Sequence, residues 1–275
     1  MKARTIKGLP VYVFLSLYAL VILVPMLFIL LASFKTNSEI FSAPWSLPAK
    51  FNFFTYFDIF INYSVYRYFL NSLYYSVVSV IGIVVLCAMG AYGIVRLKWR
   101  LAKATKAYIL LGLMVPVHAM IVPLYIMMMK IGLQNPRFTV ILIYVAFSLP
   151  TSLFILTAYL AEIPRELEEA AVLDGNSLFG SFSRIVVPLM QPALATAAIF
   201  AFLSAWNDFF VGLIFINADK YWTIQLGISK FKGAFSIRYS YLLAAVVVAL
   251  LPTVIVYLFM NRKIIAGITA GAVKG

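Results

Sequence analysis

Ile163-Pro164-Arg165-Glu166-Leu167-Glu168-Glu169-Ala170-Ala171-Val172-Leu173-Asp174-Gly175, continuing to Ile185-Val186-Val187-Pro188, is a charged island in an otherwise almost continuously apolar chain. It lies within the segment 161–190, which separates two long hydrophobic runs and carries five of the nine acidic residues. A membrane protein has little reason to gather carboxylates on one short loop unless something docks there. This loop is where function should be legible.

The surrounding composition sets the class. The chain has 275 residues, of which 64% are hydrophobic and 11% charged, and its mean hydropathy is +1.00. A soluble domain is typically about half apolar and about a quarter charged. This is an all-α integral membrane protein forming one transmembrane domain over 1–275. The net charge of +13 does not indicate nucleic-acid binding, because the basic residues are scattered between apolar runs. In membrane proteins such residues mark loops facing the anionic cytoplasmic leaflet. Cys87 stands alone in an apolar run, so it forms neither an internal disulfide nor a metal cluster.

Crossing the hydrocarbon takes roughly twenty helical residues. Runs of that length fall near 10–32, 70–95, 107–129, 138–160, 191–216 and 240–261, predicting six spans. They are continuous rather than alternating, which excludes an outer-membrane barrel. The first is read as an uncleaved span, since it exceeds a signal-peptide core and lacks a small-x-small cleavage site before Lys35. With the N-terminus inside, thirteen basic residues fall on inner segments and nine on outer ones. The cluster Arg96, Lys98, Arg100, Lys103 and Lys106 dominates that balance. Both termini and the 161–190 loop are expected to be cytoplasmic. The first outer loop, 33–69, is rich in aromatics around Pro44, Trp45 and Pro48. It reads either as an interfacial aromatic belt or as a docking surface for an outer partner.

Within the charged island, Pro164 is suited to a first helical position, and Glu166, Glu168 and Glu169 favour the positive end of the helix dipole. Ile163, Leu167, Ala170 and Ala171 share one narrow apolar face with a low profile that fits a groove. Gly175 is placed to end the helix in a left-handed conformation. Asn176 and Ser177 can cap a second short helix running to Pro188. A helix lying on the membrane surface would carry Lys and Arg instead, so docking to a partner is the better reading.

The spacing Glu-Ala-Ala, three residues, Gly, nine residues, Ile-x-Leu-Pro resembles the signature loop of permease subunits in bacterial ABC importers. Here it is carried by Glu169, Ala170, Ala171, Gly175, Ile185 and Pro188, with Val187 replacing the penultimate Leu. The wider wording with Glu166 and Asp174 is similar to the carbohydrate-uptake branch. Asn71-Ser72, Pro116, Pro123 and Trp206-Asn207-Asp208 agree with that branch. The ending Gly267 to Gly275 resembles the maltose-type inner-membrane subunit, whose tail (here Gly271, Lys274 and Gly275) contacts the ATPase pair. The resemblance implies a type I importer permease fold in a bacterial or archaeal plasma membrane. It implies a second homologous permease subunit, two ATP-binding-cassette subunits carrying ATP and Mg, and an extracytoplasmic sugar-binding protein, all amid membrane lipid. The short helix would then insert into a groove on the ATPase and transmit its closure to the spans.

The chain itself has no Gly-Lys pair, hence no phosphate loop; it is read as a transporter subunit that binds no cofactor, not as an enzyme. Asp208 is the one carboxylate inside an apolar run, about 26 Å along its helix from Gln191 at 1.5 Å per residue. It reads either as lining the outer part of a sugar path or as an interfacial structural pair. Asn207 with Trp206 suits a sugar, offering an amide for hydroxyls and a ring face, but also suits helix–helix adhesion. His118, between Pro116 and Pro123, is a candidate for the path or a packed residue. A glycerol-3-phosphate-type importer shares this permease pattern. An ion-driven transporter would show several midplane acids, and only Asp208 is present.

Overall fold

The computed structural model describes residues 9–133, 135–232 and 237–272. Regular structure among them is helical, apart from one isolated antiparallel bridge between Lys232 and Ile237. The order begins with α1 (Leu9–Ala32), α2 (Asn37–Ser42), α3 (Phe54–Ile61) and α4 (Val65–Val95). It continues with α5 (Ala102–Leu111), α6 (Val117–Lys130), α7 (Pro136–Glu162) and α8 (Glu166–Leu173). Then come α9 (Leu178–Ser181), α10 (Val187–Leu189), α11 (Gln191–Asn207), α12 (Phe210–Phe215), α13 (Ile224–Ile228) and α14 (Tyr239–Ala272).

Among the described residues, four helices are each long and apolar enough to cross a membrane: Pro10–Ala32, Val65–Val95, Pro136–Glu162 and Tyr239–Phe259. Six spans result if two bent pairs each count as one. The expected third span, 107–129, is such a pair, turning by 106° between Ala102–Met114 and Val117–Lys130. The cause is local. Pro116 disfavours helical geometry for the residue before it, and Val115 is accordingly extended (φ −79°, ψ 119°). The expected fifth span, 191–216, is also discontinuous. Leu178–Leu189 meets α11 at 74°, and α11 ends at Asp208, whose backbone is extended (φ −70°, ψ 133°) before α12 restarts the helix.

The described contacts fall into two compact units. One holds the described residues up to Tyr66 together with Gly227–Leu251. In it, α1 is bare along its apolar length, as a helix hydrophobic all round must be if lipid is its solvent. Thr36 and Glu39 form a reciprocal capping box at the start of α2. Asn37 joins that helix to the start of α14, accepting from the Ser240 N–H at 3.0 Å and donating to the Ile237 carbonyl at 3.2 Å. Tyr241 donates to Asp58 of α3 at 2.7 Å.

The other unit holds Arg67–Leu226 and the chain from Pro252 onward. One of its cores joins Ile83, Cys87 and Ala91 of α4 to Leu153, Leu156 and Leu160 of α7 and to Ala193, Ala197 and Ala201 of α11. α11 contributes alanines to it because lipid is as apolar as leucine, so helices associate through close van der Waals approach. Gly112 is the tightest case: a Cβ there would lie 2.6 Å from Pro150 Cγ. A second core, nearer the opposite ends of α4 and α7, joins Tyr75, Ile121, Val140, Ile143, Ala205 and Phe215. There Asn71 donates to the carbonyls of Lys220 (3.0 Å) and Trp222 (2.9 Å), and Ser72 accepts from the Ile224 N–H at 2.8 Å. The Asn71-Ser72 pair thus clamps the segment 219–224 to α4.

Candidate coupling site and the break in the fifth span

The island at 163–188 folds as two short helices around a glycine corner. α8 begins at Glu166, with Arg165 as its N-cap residue, so Pro164 stands just outside the helix and not at its first position. Glu166, Glu168 and Glu169 occupy the first turn, where carboxylates meet the positive end of the dipole. Gly175 adopts φ 84°. Its N–H reaches the Val172 carbonyl at 3.0 Å, and the Asn176 N–H reaches Ala171 at 2.9 Å. Those are the two bonds of a Schellman cap, a motif that needs a left-handed residue at this position. Ser177 then caps α9 by accepting from the Gly180 N–H at 3.1 Å. From there the helix runs through a π-helical turn, Phe182–Val186, which contains Ile185, into α10 with Pro188.

The loop is fastened to the end of α4. Arg96 Nε lies 2.5 Å from Glu168 Oε1, with the two side chains 6% and 12% exposed. Arg96 Nη2 also donates to the Ile163 carbonyl at 2.7 Å, and Arg165 Nη2 donates to the Val95 carbonyl at 2.8 Å. Two guanidinium groups therefore stitch both ends of the 163–168 turn to the last residues of α4. Sequence reasoning treated Arg96 only as a topology marker and did not separate Glu168 from its neighbours. The available signal was an arginine one residue past a span, facing a loop with surplus acids.

The face turned outward differs from the expected one. Ala171 is buried against the unit and Ile163 half-buried, whereas Leu167, Ala170, Val172 and Leu173 are exposed. Leu173 is 89% exposed, and Leu178 and Phe179 continue the apolar surface beyond the corner. Glu166, Glu169, Asp174 and Gly175 are also exposed, and Pro188 lies at the far end. An open cavity of about 630 Å³ lies beside this contact, lined by Tyr92, Arg96, Leu97, Arg165, Glu169 and Leu173 among others. The loop presents a mostly apolar knob with acids at its rim.

Asp208 marks the interruption of the fifth run. Its Oδ2 accepts from the Tyr144 hydroxyl at 3.0 Å and from the Gly212 N–H at 3.2 Å. The carboxylate thereby caps α12 and ties the break to α7, which satisfies backbone groups freed in an apolar medium. Trp206 does not offer the open ring face that its residue type suggested. It is fully buried, stacked on Phe202 at 5.7 Å and met edge-on by Phe69 at 5.4 Å. Asn207 is exposed but donates to the Leu203 carbonyl of its own helix at 2.9 Å. His118 is exposed on the first turn of α6, its ring 4.8 Å from that of Phe210. The structure thus brings His118 and Asp208 together at the start of α12, and leaves Trp206 in the core. Gly271 lies on the last turn of α14, while Lys274 and Gly275 lie outside the described residues.

Bent apolar helices around a stapled acidic loop define a multi-pass membrane component. Residues 84–265 match the family described as "Binding-protein-dependent transport system inner membrane component", and the chain belongs to that family. It is therefore a subunit of a transport system that works with a binding protein, and not an enzyme. It is 37% identical to a putative ABC transporter permease protein of Caldicellulosiruptor sp., with 96% of each chain covered. It is 34% identical to the diacetylchitobiose uptake system permease protein of Streptomyces coelicolor, covering 94% of this chain and 87% of that one. Its fold is similar to a chain of a bacterial ABC transporter that imports the acidic polysaccharide alginate, with a TM-score of 0.82 at 22% identity, covering 95% and 98% of the two chains.

Proposed function

We propose that this chain forms half of the translocation path of an ATP-driven oligosaccharide importer, and that the 163–188 loop carries ATPase movement into its spans. One observation supports this above others: the exposed knob of α8 is joined to the end of α4 through the buried Arg96–Glu168 pair. A force on the knob is thus a force on a span. A partner that binds the loop differently in two conformations biases the equilibrium between them.

Because the chain lacks a nucleotide motif, ATP and Mg belong to two partner ATPases, with a second permease completing the path. The basic cluster at 96–106 supports a cytoplasmic position for both termini and the loop. The C-terminal tail, with Gly271, Lys274 and Gly275, then faces the ATPase pair. An oligosaccharide cargo is supported by relatives named for diacetylchitobiose, for melibiose, raffinose and stachyose, and for arabinooligosaccharides. Asp208, Asn207 and His118 line or gate the path, and Trp206 holds its wall. Purification of the tagged chain from gently solubilised membranes tests the proposal. A second permease and an ATPase should copurify, with hydrolysis stimulated by a sugar-loaded binding protein. A chain that purifies alone and moves solute in liposomes without ATP overturns it.

A further inference from the structure

The aromatic loop after α1 is folded back onto the end of its own span. Ser33 and Tyr56 share a 2.6 Å hydrogen bond, and the Phe34 ring sits 5.2–5.4 Å from those of Phe51, Phe53 and Tyr56. The fully buried Lys35 draws the intervening chain inward, donating to the carbonyls of Ala43 at 2.9 Å and Pro44 at 3.0 Å. This is a built element rather than a slack connection.

Its outer face is apolar. On α3, Thr55 and Ile59 are buried, while Phe54, Phe57 and Ile61 are 66%, 61% and 54% exposed. Their i, i+3, i+7 spacing makes one stripe along the helix. The acid of that helix, Asp58, is turned aside: bonds from Asn62 and Tyr241 hold its carboxyl below the usual carboxylate range. Trp45, 73% exposed, lies against Phe28 of α1 with ring centroids 5.1 Å apart. Phe28 is four residues before Ala32, about 6 Å down the helix axis at 1.5 Å per residue. The loop therefore reaches below the end of the span.

We propose that α3 and Trp45 lie in the bilayer interface at the far end of α1, with lipid as the occupant of the Phe54–Phe57–Ile61 stripe. α3 is fastened through Tyr56 to Ser33 at the end of α1, a membrane-crossing helix with a bare apolar surface, and Trp45 lies on that surface at Phe28. Indole rings favour headgroup level, and Lys50, exposed four residues before α3, has a side chain that can reach phosphates while its stem stays apolar. The loop acts as a float that fixes the depth of α1 and the start of α4. This decides between the two readings left open for residues 33–69, in favour of lipid over a docked protein.

The test is a nitroxide at Phe57→Cys in the full-length chain, reconstituted in nanodiscs of phosphatidylethanolamine and phosphatidylglycerol. Cys87 is buried, so the unsubstituted chain controls for stray labelling. Relaxation by oxygen but not by a water-soluble nickel complex is the expected result. Relaxation by nickel, or protection from both reagents, overturns the proposal; the latter assigns the face to protein. Trp45 gives a second reading, taken as the difference between wild-type and Trp45→Phe fluorescence. Lipids brominated near the headgroup should remove most of it, and aqueous iodide little. The reverse pattern contradicts the proposal even if labelling at position 57 perturbs the helix.

Discussion

Arg96 and Glu168 meet at 2.5 Å across a nearly dry contact between α4 and the 163–188 loop. Neither residue is isolated: the same guanidinium also holds the Ile163 carbonyl at 2.7 Å. Removing one partner of a buried pair leaves an uncompensated charge, at a cost of about 3–5 kcal/mol. Glu168→Ala should therefore reduce thermal stability and uptake together. Arg96→Met with Glu168→Leu, which removes both charges, should recover stability and leave uptake impaired, because the specific link from loop to span is gone. Thermal denaturation in detergent, alongside uptake by reconstituted complex, separates the two effects. Full uptake by the double variant would rule out a coupling role for the pair.

Gly175 sits at φ 84° with open space around its Cα. The cost of a side chain here is thus conformational and not steric, about 1–2 kcal/mol for a non-glycine residue in the left-handed region. Asn tolerates that region best, so uptake should rank Gly175 above Gly175→Asn, above Gly175→Ala, above Gly175→Val. Membrane insertion should be equal in all four. Equal uptake in the valine variant would show that the corner is not held in this conformation during transport.

At Gly112 the obstacle is a neighbour. A methyl group would lie 2.6 Å from Pro150 Cγ and 3.4 Å from its Cβ. Gly112→Ala should lower the melting temperature, since overpacking costs about 1–3 kcal/mol. Adding Pro150→Ala deletes the clashing atom and should restore most of the loss. Additive destabilisation in the double variant would refute the contact.

Asp208 accepts from Tyr144 and from the Gly212 N–H across the break in the fifth run. Asp208→Ala leaves both donors unpaired in an apolar setting, costing about 1–3 kcal/mol for each buried group. Asp208→Asn retains an acceptor and should be the milder change, while Tyr144→Phe should fall between wild type and Asp208→Ala. Uptake assays with thermal denaturation check the order. Wild-type behaviour in Asp208→Ala would remove this residue from both structure and path.

Much of this was legible in the chain. Four apolar runs became unbroken spans, α1, α4, α7 and α14; Pro25, Pro150 and Pro252 each remove a helix bond within them, yet an apolar medium offers the backbone no alternative to helix. The glycine corner and the Ser177 cap were readable because each rests on chemistry local to a few residues. The two bent spans were not, since hydropathy is blind to backbone direction: Val115 and Asp208 are extended while their surroundings stay apolar. The outward face of α8 was misjudged for a related reason. In an eight-residue helix with alanines on one side and acids on another, only the tertiary partner Arg96 decides which acid turns inward. Trp206 shows the same limit, as its residue type suits a sugar ring and a core equally, and Phe202 and Phe69 settle its use.

The central claim is that the α8 knob is where an ATPase grips this chain. Leu173 is 89% exposed, so a photo-crosslinking residue placed there disturbs nothing inside the fold. Irradiation of membranes containing the complete transport system should join position 173 to an ATP-binding subunit, with the yield changing when ATP is added. Crosslinks only to lipid or to a second permease, with none to an ATPase in either state, would contradict the account.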